Sequence, residues 1–242
     1  MRVGITNRSA PHRYLAPTDG VGVYKTAILV SPPDEFPAPT ASLFEQAPGD
    51  VIRTHFHFNS QFQVFVHGGG TLGRTAIGPI VVQYAAPHTG YGPITAGEEG
   101  IWYLTLRPSF PLKQPGFQPV MYLPESRPLL DASLKKFQVH SDAIDCAAAA
   151  PAALEISEVI APAGDGLGVW RMRLPPSETA RAPRHPRGLA RYWLVAAGSL
   201  LHEGKLLPAL SLIWTVGEED IALEAGGEGA DVIVMQFPHH AF

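Results

Sequence analysis

The chain is short of cysteine, short of charge and without a long apolar run, and each shortage excludes something. Its single cysteine, Cys146, cannot form an internal disulfide. It is followed by an alanine-rich stretch with no evident histidine partner, and reads as an incidental thiol rather than a nucleophile. One thiol and a polar N-terminus without a signal-peptide core agree with a cytoplasmic protein. Charged residues make up 17% of the 242, below the roughly 25% of an ordinary soluble domain, which argues against long salt-bridged helices. A formal net charge of −4 leaves no basic footprint for nucleic acid. No apolar segment reaches the roughly 18 residues of a membrane helix, so the expected partner is a small molecule, neither nucleic acid nor membrane.

Glycine and proline are plentiful, 24 of each, and mark turns between short elements. The runs 21–30, 51–58, 61–67, 79–84, 101–107, 169–174, 189–196, 210–215 and 231–237 are apolar, short and bounded by them. They read as strands of an all-β sandwich or jelly-roll barrel. Leu130, Leu134 and Phe137 fall at helical spacing and predict a short helix over 129–139.

The chain also repeats. A shift of 130 positions lays Gly68 on Gly198, Gly97 on Gly227, Glu98 on Glu228 and Pro108 on Pro238. Glycine and proline hold their places for steric reasons, so shared spacing implies shared backbone geometry. The expected organisation is an N-terminal barrel over 1–125, a partly helical connector over 126–152 and a C-terminal barrel over 153–242. An apolar strand over 21–30 needs an edge partner, which predicts a homodimer.

The chemistry concentrates between Gly49 and Gly68. Residues two apart on a strand share a face, so His55 and His57 present two imidazoles side by side. Gln61, reached after a bend at Asn59 and Ser60, faces them from the next strand, and imidazole with an oxygen donor suits a divalent transition metal. The same His-x-His also reads as a metal-free, hydrogen-bonded pair. Gln63 and His67 share the alternation of Gln61, with His67 expected at the rim. Arg53 shares the face of His55 and is a candidate anchor for a carboxylate, whereas Arg107 ends a strand and is expected at the surface. Tyr91, in a glycine-rich loop, is a candidate proton donor. His239 and His240 are expected in solvent.

Gly49, His55-x-His57, Gln61 and Gly68 together resemble the first cupin motif, with glutamine where that motif has glutamate. His88, in Ala86-Pro87-His88-Thr89-Gly90, stands near where the second cupin motif supplies its third histidine, although the surrounding pattern is poorly kept. The resemblance implies two cupin jelly rolls in tandem. It implies a metal site of His55, His57, Gln61 and His88 for iron, manganese, nickel or zinc, with Tyr91 and Arg53 as catalytic candidates. Gln61 in place of glutamate implies a weaker site. The 130-residue shift maps His55 to His185, His57 to Arg187, Gln61 to Arg191 and His88 to Glu218. Arginine does not ligate metals, so the second lobe reads as having lost its site, with Arg187, Arg191 and Glu218 free to form an internal ion-pair network. The implied activity is an O2-dependent dioxygenase acting on a small organic molecule. A metal-dependent isomerase or lyase and a metal-free binding protein are the alternatives, since fold does not choose among them.

Overall fold

The structure, a computed structural model, describes residues 1–6, 13–16, 22–32, 36–109, 120–146, 150–219 and 221–241. It is an all-β fold of antiparallel strands in two compact units. No helix among the described residues is long and apolar enough to cross a membrane. The first strand, β1 (Arg2–Gly4), belongs with the C-terminal unit.

The N-terminal unit runs to Ile144 and holds β2 (Arg13–Ala16), β3 (Val23–Leu29), β4 (Thr40–Gln46), β5 (Val51–Ile52) and β6 (His55–Phe56). It continues with β7 (Gln61–Leu72), β8 (Thr75–Ile77), β9 (Val81–Ala85), β10 (Ile94–Arg107), β11 (Met121–Tyr122) and β12 (Gln138–His140). Its main sheet has the order β12-β9-β7-β10-β4-β3-β2, and β11 pairs with β6. Along β7 the side chains alternate, so Gln61, Gln63 and Phe65 share one face and Phe62 and Val64 take the other. Phe65 joins Val81, Tyr91, Ile94, Ile101 and Tyr103 in one core cluster.

The C-terminal unit starts at Asp145 and takes in β1. Its other strands are β13 (Glu155–Ile160), β14 (Gly168–Leu174), β15 (Thr179–Arg181), β16 (Ala190–His202), β17 (Lys205–Pro208), β18 (Leu212–Val216) and β19 (Ala222–Phe237). Their order, β1-β18-β16-β19-β14-β13, repeats that of the N-terminal sheet with β1 standing where β12 stands.

The repeat therefore exists in the backbone. Gly68 and Gly198 both have φ of +69° and lie hard against a facing strand. A Cβ would fall 2.1 Å from the Gly100 carbonyl oxygen in one and 2.2 Å from that of Gly229 in the other, so only glycine fits. The offset is not constant, however. Gly68 precedes Gly198 by 130 positions and Gly100 precedes Gly229 by 129, so the matched turn glycines are Gly100 and Gly229 rather than Gly97 and Gly227.

Three expectations are corrected. The helix over 129–139 is a single 3₁₀ turn at Arg127–Leu129 followed by β12. Asp131 Oδ1 accepts hydrogen bonds from Ser133 N at 2.9 Å and Ser133 Oγ at 2.6 Å, a local turn that competes with helix, and Leu134 and Phe137 stay exposed. The expected connector divides instead. Residues up to Ile144 belong to the N-terminal unit, where β12 extends the sheet along β9 and Ile144 N bonds Ile80 O at 2.8 Å. The continuous strand over 51–58 is broken between Ile52 and His55. The start of the first expected strand at residue 21, and residues 147–149 of the alanine-rich stretch, lie outside the described residues. Cys146 is half-buried, and burial pushes its thiol up to about 12.

Candidate functional site

The interior of the N-terminal unit is built in rows across the sheet. Cross-strand register places Phe44 beside Tyr103 and Tyr103 beside Phe65, giving an aromatic row. The next row is polar: Ser42, Thr105, Gln63 and Gln83 are successive neighbours on β4, β10, β7 and β9. A cavity of about 390 Å³, its open mouth included, lies over these rows. Phe44, Tyr103, Thr105 and Gln63 line it, and Arg107 closes the β10 side. His55, His57 and Tyr91 face in from the other wall.

His55 and Tyr91 are locked together through their backbones, His55 N to Tyr91 O at 3.1 Å and Tyr91 N to His55 O at 3.0 Å. Their rings consequently meet, with centroids 4.6 Å apart. His55 Nδ1 lies 2.7 Å from the Arg53 carbonyl oxygen, which fixes the proton on Nδ1 and leaves the Nε2 lone pair facing inward. Nε2 stands 3.0 Å from the Tyr91 hydroxyl, which donates to it. Gln61 Nε2 in turn donates to the Tyr91 oxygen. A directed chain results, from the Gln61 amide through the Tyr91 hydroxyl and the His55 imidazole to the Arg53 carbonyl. Burial drops His55 to about 4 and raises the Tyr91 phenol, so at neutral pH the imidazole is neutral and the phenol keeps its proton.

His57 lies next to His55 with ring centroids 5.1 Å apart, as the alternation requires. Its Nδ1 is 3.4 Å from Arg107 Nη2. Gln61 and Gln63 are 1% and 3% exposed, and among the described residues the carboxamide oxygen of neither has a hydrogen-bond partner. Burying such an oxygen without a donor costs about 1–3 kcal/mol, a cost that a water, a ligand donor or a cation at the site would offset.

Two imidazoles and the Gln61 carbonyl oxygen would be a donor set that a divalent transition metal accepts, once the Tyr91 hydroxyl turns away from His55 Nε2. His55 carries the backbone partner on its far nitrogen that metal-ligating histidines use. The set contains no carboxylate, and among the described residues no three of His, Cys, Asp and Glu gather. A metal here would be held by neutral donors alone, with the Arg107 charge close by.

His88 stands apart from this group. It projects with Phe56, on the side away from His55 and His57, its ring stacked on Phe56 at 5.7 Å and edge-on to Phe58 at 4.9 Å. Its Nδ1 accepts from Asp131 N at 3.1 Å. Arg53 is also displaced. The bend between β5 and β6 breaks the alternation that put it beside His55, and it pairs instead with Glu125 at 2.8 Å and covers the Tyr122 ring. Arg107, expected at the surface, takes the interior position. Tyr103, Thr105 and Arg107 alternate along β10 as Gln61 and Gln63 do along β7, and that period of two is the signal that finds them. His67 is exposed and stacks on Trp102 with centroids 4.2 Å apart.

No known family profile matches this sequence, and no curated protein matches it. Solved structures do. A nickel(II) complex of a bacterial pirin from Escherichia coli aligns at a TM-score of 0.57 and 11% identity, over 98% of each chain. A dioxygenase of provisional assignment from Nostoc punctiforme aligns at 0.57 and 9% identity, over 92% of this chain and 75% of that one. A cupin 2 conserved barrel domain protein from Leptotrichia buccalis aligns at 0.50 and 11% identity, over 92% of each. At such identities the likeness establishes the fold, an all-β cupin jelly roll.

Proposed function

We propose that the N-terminal unit is the working half of a bicupin and a metal-assisted enzyme site for a small organic molecule. His55, His57 and Gln61 hold a divalent transition metal, and Tyr91 acts as the proton donor. The observation that carries this is the Gln61–Tyr91–His55–Arg53 chain, which fixes the His55 proton on Nδ1 and brings its Nε2, the Tyr91 hydroxyl and the Gln61 carboxamide together beside a lined cavity. The nickel of the pirin structure and the name of the Nostoc protein support a metal and a dioxygenase-type oxidoreductase, in which the bound metal supplies Lewis acidity and a place for O2. This chain's own residues orient the substrate and manage a proton. Tyr91 keeps its proton through burial, and with His55 Nε2 taken up by a metal the Tyr91 hydroxyl, now 3.0 Å from that nitrogen, would be free to donate to the substrate.

A second reading, a proton-transferring isomerase or lyase, is favoured by that same Tyr91–His55 bond, which needs no oxidant. Metal titration of the wild type and of the double variant His55→Ala, His57→Ala tests the site. One metal per chain should bind the wild type and none the variant, while circular dichroism shows it folded. Stoichiometric metal in the variant removes the site from this unit. His88→Ala should keep its metal. O2 consumption by the metal-loaded protein with candidate substrates then separates the two reactions.

A further inference from the structure

The polar row beside the N-terminal cavity holds one group that the fold leaves without a partner. Gln63 lines the cavity and is buried, and among the described residues no donor reaches its carboxamide oxygen. The two nearest carboxamides along the strands are engaged elsewhere. Gln61, two residues back on the same face of β7, donates to the Tyr91 hydroxyl. Gln83, the neighbour of Gln63 on β9, donates to Gln138 Oε1 at 3.1 Å. Gln83 also has an oxygen without a donor among the described residues, but it is not one of the residues that line the cavity.

The row of Ser42, Thr105, Gln63 and Gln83 contains no ionisable group. A hydroxyl is the donor that satisfies an oxygen there without bringing a charge to bury. A carboxamide offers an acceptor and N–H donors side by side, and two hydroxyls on adjacent carbons present the matching donor and acceptor. One row along, Phe44 and Tyr103 line the same cavity, stacked with centroids 5.4 Å apart and planes 4° from parallel. A carbon skeleton next to Gln63 therefore meets aromatic carbon.

We infer that the cavity binds a neutral ligand carrying a vicinal diol, which the Gln63 carboxamide reads. One hydroxyl donates to Gln63 Oε1, its neighbour accepts from Nε2, and the carbon skeleton packs on Phe44 and Tyr103. A ligand without the hydroxyls is rejected, because it leaves the buried oxygen dry and unpaired. The inference deepens the proposed function, in that it rests on this cavity being the substrate site, but it does not require a metal.

The test is an NMR titration of the full-length protein with cis-1,2-cyclohexanediol and with its dimethyl ether, which keeps the ring and removes both O–H groups. The wild type should bind the diol about tenfold tighter than the ether. Gln63→Leu should reduce that preference to about twofold or less while ether affinity persists. Gln83→Leu, which removes the other unpaired oxygen, should keep the preference. Equal affinity for diol and ether in the wild type shows that water already serves the oxygen, and overturns the inference. So does a preference that survives in Gln63→Leu, a preference lost in Gln83→Leu, or no diol binding below about 10 mM to a wild type that melts normally. Metal content of the same samples reports on the metal alone. A diol preference in protein that takes up no metal sinks the metal centre and keeps the diol; metal uptake without a diol preference does the reverse.

Discussion

The same four positions across the two sheets carry opposite chemistry. In the N-terminal unit the row is Ser42, Thr105, Gln63 and Gln83. In the C-terminal unit the matching row is Trp170, Val234, Trp193 and Ile213. Two indoles replace a hydroxyl and an amide, and Trp170 folds back over Gly168, where a Cβ would fall 2.7 Å from its Cη2. Trp193 is fully buried and donates to Thr215 Oγ1 at 3.1 Å. One row leaves a cavity edged with unsatisfied amides and the other fills its interior. The next row makes the same contrast. Gln61 and Arg107 have their counterparts in Arg191 and Gln236, so amide and guanidinium trade strands. Arg191 is spent internally, packed on the Trp193 ring and donating to the Glu219 carbonyl. Among the described residues, Arg187, Arg191 and Glu218 meet other partners in place of the expected network. Arg187 is exposed and bonds the Gly164 carbonyl, and the Glu218 side chain is 95% exposed with Arg184 at 4.0 Å. The barrel interior is conserved as a surface and respecified one row at a time.

If the C-terminal interior is held by its indoles, Trp193→Ala should produce the largest stability loss. Removing a fully buried indole costs about 3–5 kcal/mol, and here the Thr215 hydroxyl also loses its donor. Urea denaturation followed by circular dichroism measures it. A loss under about 1 kcal/mol would mean that the row does not fill the unit, and the contrast would fail.

The next comparison turns on the Gln61 position. Gln61→Glu supplies the anionic donor that the site lacks. It also removes the N–H that Gln61 gives to Tyr91, so the hydroxyl is drawn to the new carboxylate and His55 Nε2 is released. Divalent-metal affinity should rise about tenfold, or about 1.4 kcal/mol. Unchanged affinity would place Gln61 outside the metal's reach. His185→Ala is the control, since His185 is held by Gln236 and Arg187 backbone contacts far from any donor cluster, and it should leave metal content unaltered.

Much of the fold was legible because its signals are local. Turn glycines, proline boundaries and period-two runs place the long central strands of both sheets, and His55-x-His57 lies where alternation puts it. Four things were not. β4 and β13 were missed, as were the short strands β1, β2, β8, β11, β12, β15 and β17, because Thr40–Gln46 and Glu155–Ile160 carry polar residues through the strand rather than an apolar run, and strands of two to four residues hold too little pattern to read. Arg53 was misplaced because alternation holds only inside an unbroken strand, and two bent residues separate β5 from β6. Arg107 and His88 exchanged roles because a residue's side depends on which strands become neighbours. No local pattern shows that Arg107 is carried into the interior by β10, or that the loop after β9 turns His88 toward Phe56. A gapless shift likewise cannot register the one-residue slip that moves the last strand from an offset of 130 to 129.

The smallest effect tests the N-terminal row most directly. Gln63 is 3% exposed, and its carboxamide oxygen lacks a partner, so folding strips that oxygen of water without return. Leucine has nearly the same volume and no such debt. Gln63→Leu should therefore leave the melting transition unchanged or raise stability by up to about 1 kcal/mol. The sign is opposite to that of Trp193→Ala at the matching position of the other sheet. If stability were the reason for Gln63, its replacement would instead cost about 2 kcal/mol or more, as for a satisfied buried network. A neutral or stabilising outcome shows that stability is not what the polar row is there to supply. Proteins keep unsatisfied buried groups where function demands them.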